Sequence, residues 1–346
     1  MLAGGALTGT GEWPLEAICL GETMAMLAPA LAEPLQTASS LVVRAAGAES
    51  NVAMYLASLG HRVAWASRLG DDPLGRRVLQ EVARTGVDVS LVEMAPDAPT
   101  GVMFKDPGAG ERRVYYYRRG SAASAMGADL AGAVLAAPPR LAHLSGVTPA
   151  LSEQCSTLVG ALLDGLNAVG TTTSFDVNYR PALWPSEEAG PALLALARKA
   201  DIVFTGLDEA QQLWGVAGAA ELRRLLGRPG TVVVKNGAEG ATSFVGENQV
   251  HVPVPRAEVR DAVGAGDAFA AGWLSGWLRS LPESKRLRLG HLVAGCALSG
   301  TADYVPLPGR PWFASWLETS EEQWSDRQWD GPGAVPPTWY LGTQGP

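Results

Sequence analysis

Asp261-Ala262-Val263-Gly264-Ala265-Gly266-Asp267-Ala268-Phe269 (261–269) runs into an apolar stretch that carries Trp273, Trp277 and Leu281. Residues spaced by four read as one face of a helix, so the small residues at 264–266 stand at its mouth. There the first backbone N–H groups have no partner within the helix, and without side-chain bulk an anion can come close to them. The helix dipole adds partial positive charge at the same end. A carboxylate in that place, Asp267, would repel a phosphate if binding one were its only task. It makes sense as a base that takes a proton from a hydroxyl, which then attacks a phosphorus. The amides of Gly264, Ala265 and Gly266 would stabilise the charge developing on the transferred group. The alternative is a Gly-rich turn that packs a helix closely, with Asp267 as its cap. Spacing alone leaves both open.

Outward from this stretch, short apolar runs alternate with amphipathic ones, the pattern of a mostly parallel sheet covered by helices. Strands are expected at 15–20, 62–69, 141–144, 172–176, 201–205, 232–235 and 242–245. A helix over 51–59 places Val52, Leu56 and Leu59 on one face. Another starts with Asp72 as cap and Pro73 in the first turn and closes at Gly86. Residues 35–46 and 100–119 break the rhythm with period-two character, the second through Val114-Tyr115-Tyr116-Tyr117-Arg118. They read as a small secondary sheet outside the main one, suited to covering a polar ligand. From about 311 to 346 the chain becomes a Trp-rich extension, with Trp312, Trp316, Trp324, Trp329 and Trp339 among Gly331-Pro332-Gly333 and Pro336-Pro337. Either it docks through its tryptophans or it is partly disordered. Residues 1–310 read as one domain.

Composition bounds the partners. The 346 residues are 47% apolar and 18% charged, with a formal net charge of −8. That is a globular composition with a sizeable core, and it argues against nucleic acid, whose phosphates demand clustered cations. Cys19, Cys155 and Cys296 are odd in number and have apolar neighbours, as buried thiols of a reducing compartment would. No Lys or Arg precedes Arg44, so a secretory n-region is absent, and no apolar run reaches the ~20 residues of a membrane span. A soluble, cytoplasmic protein is expected. No Gly-Lys-Ser/Thr occurs, which excludes a P-loop, and 264–266 lack the third glycine of the dinucleotide fingerprint. His61, His143, His251 and His291 show no metal-ligand spacing.

The segment DAVGAGDAFAAG (261–272) resembles the C-terminal signature of the ribokinase-like (carbohydrate kinase) superfamily. AAGAESNVAMYLASLGHRVAWASRLGDDPLG (45–75) resembles its N-terminal signature. The resemblance covers about 15–310 and implies an α/β fold with a central, mostly parallel sheet, helices on both faces and a small β-sheet lid. It favours Asp267 as the base over Asp267 as a cap. RVYYYRRGSAAS (113–124), HLSGVTPALS (143–152) and SFDVNYRPALW (174–184) are similar in particular to 2-keto-3-deoxygluconate kinases. That likeness implies ATP and Mg2+ as cofactors and a small sugar acid as substrate. It implies sugar contacts from Gly47, Ala48, Glu49, Ser50, Asn51, Met103, Tyr116, Arg118 and Asp303. Met103 stands where the group often has a tyrosine.

The same likeness implies nucleotide contacts from Asn178, Arg180, Gly206, Lys235, Gly237, Gly240 and His291, besides Gly264, Ala265 and Gly266. Gly206 and His291 replace the usual polar residues. Glu209 would organise Mg2+ through water. Physical chemistry agrees with an acid sugar, because a guanidinium such as that of Arg118 binds a carboxylate through two charge-assisted bonds. Rival readings are another kinase of the family, for fructose or 5-dehydro-2-deoxygluconate, and a sugar-binding protein that has lost catalysis. The outer face of the lid, with Val42 or Tyr115, would pair with a second copy in a homo-oligomer.

Overall fold

The computed structural model describes residues 15–31, 33–108, 113–255, 264–300, 302–326 and 329. The chain enters through β1 (Ala17–Leu20) and crosses at once into a small sheet with β2 (Met24–Pro29) and β3 (Leu41–Ala46). It returns through α1 (Ala48–Ser58) to β4 (Val63–Gly70), α2 (Pro73–Ala83) and β5 (Asp88–Ala95). A second excursion builds β6 (Val102–Asp106) and β7 (Arg113–Tyr117). Regular alternation follows with α3 (Ala128–Ala136), β8 (Leu141–Ser145), α4 (Glu153–Ala168), β9 (Thr172–Asp176), α5 (Ser186–Ala197) and β10 (Ile202–Gly206). Helices α6 (Leu207–Trp214) and α7 (Ala219–Leu226) lead to β11 (Thr231–Asn236), β12 (Gly240–Val245) and β13 (Asn248–Val252). Helices α8 (Ala265–Leu278), α9 (Glu283–Leu298), α10 (Arg310–Leu317) and α11 (Glu321–Asp326) finish the described chain.

The main sheet has the order β13-β12-β11-β10-β9-β8-β1-β4-β5 and the small one β3-β2-β6-β7. From β11 to β5 the main sheet is parallel, and β12 and β13 extend it antiparallel. Both faces are covered, so the central strands β1, β8, β9 and β10 are buried almost throughout. In β1, Ala17 and Cys19 join the core that holds Trp65, Phe204 and Trp273, whereas Ile18 and Leu20 join the core beneath α4. Asp72 caps α2 by accepting from Gly75 N at 2.8 Å, with Pro73 in the first turn. Gly86, three residues past that helix, sits at φ 91°.

Each expected strand has its counterpart, and three further ones appear. β5 is an edge strand whose polar residues face out, so its run lacks the uniform apolarity of its neighbours. β13 is likewise an edge strand, exposed along most of its length. β2 is separated from β1 only by Gly21-Glu22-Thr23, too short a break to read as a crossing between sheets. The expected strand over 35–46 is corrected accordingly. Residues 35–37 form a turn, only 41–46 is strand, and β2 is its antiparallel partner.

In the tail, Trp316 and Trp324 are fully buried against α9, and Trp324 Nε1 donates to Pro253 O at 2.9 Å. The Arg288 guanidinium lies 5.0 Å from the Trp324 ring and donates to Thr319 O. Trp339 and the Gly-Pro and Pro-Pro pairs lie outside the described residues. No described helix is long and apolar enough to cross a membrane.

Candidate active site

Ser145, Asp176, Gly206 and Lys235 all stand at or near the carboxyl ends of parallel strands, where open α/β sheets bind ligands. Beside them lies a cavity of about 600 Å³ between the two sheets. Its wall from the small sheet follows the pleat. Met24 on β2, Met103 on β6, and Val114 and Tyr116 on β7 face inward, with Met103 directly opposite Tyr116. Arg118, one step past β7, continues that face. The body supplies Gly47, Ala48, Asn51, Arg180, Gly264, Asp267 and Asp303.

Asp267 is the third residue of α8, whose cap Gly264 has φ 83°. That left-handed turn suits glycine, and a Cβ there would also lie 2.9 Å from Asp303 O. The first helical bond runs from Ala268 N to Gly264 O, leaving the N–H groups of Ala265, Gly266 and Asp267 as donors. Asp267 is only 7% exposed. Its Oδ2 accepts from Asn51 Nδ2 at 2.9 Å and its Oδ1 from Asn178 Nδ2 at 3.4 Å. Burial pushes the carboxyl up to about 7, against the opposing pull of the Asn51 hydrogen bond and the Arg180 charge. It is poised to exchange a proton near neutrality.

A second cluster adjoins the first through Asp267. Lys235 Nζ pairs with Asp176 Oδ2 at 2.8 Å and lies 3.4 Å from where a Cβ of Gly266 would stand. Burial opposes the Lys235 charge, but Asp176 and Glu209 overcome it and raise its pKa. Glu209 Oε2 accepts from Gly206 N at 2.9 Å, and burial raises this carboxyl. Asn178 adopts φ 39°, a strained conformation for a side chain other than glycine, and this turn brings it onto Asp267. Gly237 at φ 49° and Gly240 at φ 128° shape the β11–β12 turn. No group of three metal-ligating side chains occurs among the described residues. A Mg2+ that keeps its waters and rides on substrate phosphates needs no such cage, and Asp176 and Glu209 can meet those waters. The open amides of α8 and the Lys235 ammonium fit a polyphosphate.

Several expected contacts are corrected. Glu49 is fully buried, with Oε1 accepting from Ser145 Oγ at 2.7 Å and Thr148 Oγ1 at 3.0 Å. Ser50 donates to Gly47 O at 3.1 Å and faces inward too. Because α1 starts at Ala48, only positions three or four apart share a face, so Gly47, Ala48 and Asn51 reach the cavity and Glu49 and Ser50 do not. Arg118 lines the cavity, but its guanidinium is already paired with Glu22. It is no free carboxylate anchor. Arg180, expected at the nucleotide, lines the same cavity as Tyr116. Asp303 reaches the cavity while bound to Lys105 Nζ at 2.5 Å. His291, expected beside a purine, is buried with Nε2 on Val252 O at 2.9 Å and its ring 5.1 Å from Phe269, and burial lowers it to about 4. Asp261, Ala262 and Val263 lie outside the described residues.

Four residues escaped the sequence reading: Glu22, Lys105, Arg119 and Asp176. Glu22 and Asp176 follow or end parallel strands, and that position was the available signal. Arg119, next to Arg118, carried none.

The sequence matches the family described as pfkB family carbohydrate kinase over residues 15–310. It is 36% identical over 310 residues to a 2-dehydro-3-deoxygluconokinase of Bacillus subtilis, covering 88% of this chain and 95% of that protein. A 2-dehydro-3-deoxygalactonokinase of Haloferax volcanii is 36% identical over 286 residues, covering 81% and 89%. The crystal structure of a fructokinase with bound ATP from Xylella fastidiosa superimposes with a TM-score of 0.77 at 24% identity, covering 87% of this chain and 97% of that one. It shares the fold.

Proposed function

Since the chain belongs to the pfkB family of carbohydrate kinases, we propose that it transfers the γ-phosphoryl group of ATP to the terminal hydroxyl of 2-keto-3-deoxygluconate, with Asp267 as base. The observation that carries this reading is the position of Asp267. It borders the cavity on one side and heads the open first turn of α8 on the other. In the reaction its carboxylate takes the proton of the sugar hydroxyl. The oxygen forms a bond to the γ-phosphorus as the bond to the β-phosphate oxygen breaks, and ADP leaves. The amides of 264–266 and Lys235 face the charge that develops on the moving phosphoryl. Glu209 and Asp176 would meet the waters of a Mg2+ bound with the nucleotide, and the ion would neutralise charge on the phosphates.

Two features favour an acid sugar. Among the described residues, Arg119 and Arg180 line the cavity without a side-chain partner, so two guanidinium groups remain for a carboxylate. Asn51 Oδ1 is buried without a hydrogen-bond partner and can accept from a sugar hydroxyl. The kinship with enzymes named for both 2-dehydro-3-deoxygluconate and 2-dehydro-3-deoxygalactonate supports the class of sugar and leaves its epimer to experiment. A coupled ADP-release assay on both acids, fructose and 5-dehydro-2-deoxygluconate tests the reading. A keto-deoxy acid should show the highest kcat/KM. Equal or better turnover of fructose would defeat it.

A further inference from the structure

Four crossings join the small sheet to the body, and all four meet at Glu22. The residue lies in the β1–β2 crossing and is 2% exposed, yet it lines the sugar cavity. Its Oε2 takes the guanidinium of Arg118, which leaves β7, and its Oε1 accepts from Ser121 Oγ at 2.6 Å. A Cβ on Gly101, in the β5–β6 crossing, would come within 2.7 Å of Glu22 Oε1. One on Gly47, in the β3–α1 crossing, would lie 2.4 Å from the Glu22 carbonyl oxygen. Both glycines leave room for the chain at 22.

A carboxylate so deeply buried is tolerated only with a charged or strongly hydrogen-bonding partner, and Arg118 with Ser121 meets that need. The pairing has two effects on the cavity. It cancels the net charge of Arg118, so that the attraction for an anion comes from Arg119 and Arg180. It also holds the Arg118 side chain at one place on the wall, next to Tyr116.

We propose that Glu22 is a positioning residue for the sugar, acting through Arg118 at the common root of the four crossings. The proposal rests on the reading that this cavity holds the sugar. The test is a double-mutant cycle with Glu22→Gln, Arg118→Ala and the pair, measuring KM for the sugar, KM for ATP, kcat and Tm. Glu22→Gln keeps the volume and one acceptor but loses the charge. It should raise the sugar KM about 10-fold, the scale of one charge-assisted hydrogen bond. KM for ATP should stay near wild type, whereas Tm should fall, because the Arg118 charge is left buried without its partner. The double variant should be no worse than Arg118→Ala alone by more than about 2-fold, because Glu22 has nothing left to position.

Additive losses would overturn the proposal, as would equal rises in both KM values. If Glu22→Gln does not fold, Ser121→Ala removes one partner and leaves the charge pair. Its sugar KM should rise about 3-fold with ATP unaffected, and an unchanged sugar KM overturns the proposal. The cycle runs on whichever sugar proves to be turned over. A neutral substrate would therefore defeat the acid-sugar reading while leaving this coupling to be judged separately.

Discussion

Asp267 carries opposing demands. A carboxyl kept near 7 by burial is a good base for a hydroxyl and a poor contributor to stability. Between about pH 4 and pH 7 the folded protein holds a proton that the unfolded chain has released, so stability falls as pH rises through that window. Asp267→Asn should lower kcat by roughly 10²–10⁴, yet its Tm at pH 8 should lie above that of wild type. A variant that keeps more than half of the wild-type kcat would refute the assignment. In the wild type, kcat/KM should climb with pH to a plateau above an apparent pKa near 7. A flat profile from pH 5.5 to 8.5 (roughly one and a half units to either side) would disagree with the buried carboxyl as base. For charge recognition, Arg180→Ala should raise KM for an acid sugar about 10-fold or more and affect a neutral one much less. Equal losses on both would make Arg180 structural. In the sequence the residues Asn178-Tyr179-Arg180 read as one nucleotide-facing unit, and the different directions of Asn178 and Arg180 left no local mark. The strained turn at Asn178 sends that side chain to Asp267 and leaves Arg180 facing the cavity.

At the scale of elements, the mouth of α8 depends on a glycine in two independent ways. Gly264→Ala places a side chain both at φ 83° and within 2.9 Å of Asp303 O. The left-handed strain alone is about 1–2 kcal/mol. Relief of the clash must move Asp303 or turn the first amides of the helix. The variant should lose at least about 10-fold in kcat, since misplacing reacting groups by a fraction of an ångström is enough. Wild-type kcat would show that the cradle tolerates a methyl group. This element was legible in the sequence because its determinants are local: three small residues, a carboxylate and an apolar face. The βα alternation was legible for the same reason. β2 and β5 were not, since a three-residue crossing and a half-polar edge leave no local mark. Nor could the inward turn of Glu49 be read before the start of α1 was known.

For the whole molecule, the small sheet has an outward face with Leu41, Tyr115 and Tyr117 exposed at 38%, 41% and 67%. The T-shaped pair of Phe104 and Tyr117, 5.7 Å between centroids, continues that apolar surface. A second copy is expected to cover it as a two-fold dimer. Sedimentation at micromolar concentration should give twice the chain mass, and Tyr115→Lys should shift it toward the monomer. A clean monomer in the wild type would end the idea. At the opposite end of the chain, Trp312, Trp316, Trp324 and Trp329 pack in tilted and edge-to-face pairs with ring centroids 5.4–5.9 Å apart. Indoles at such distances share their excited states, so the cluster is an optical antenna inside the protein. Its circular-dichroism couplet depends on the mutual tilt of the rings and vanishes when they separate. Detachment of the tail from α9 can therefore be followed by light alone, in the unlabelled protein, while turnover is measured in the same cuvette.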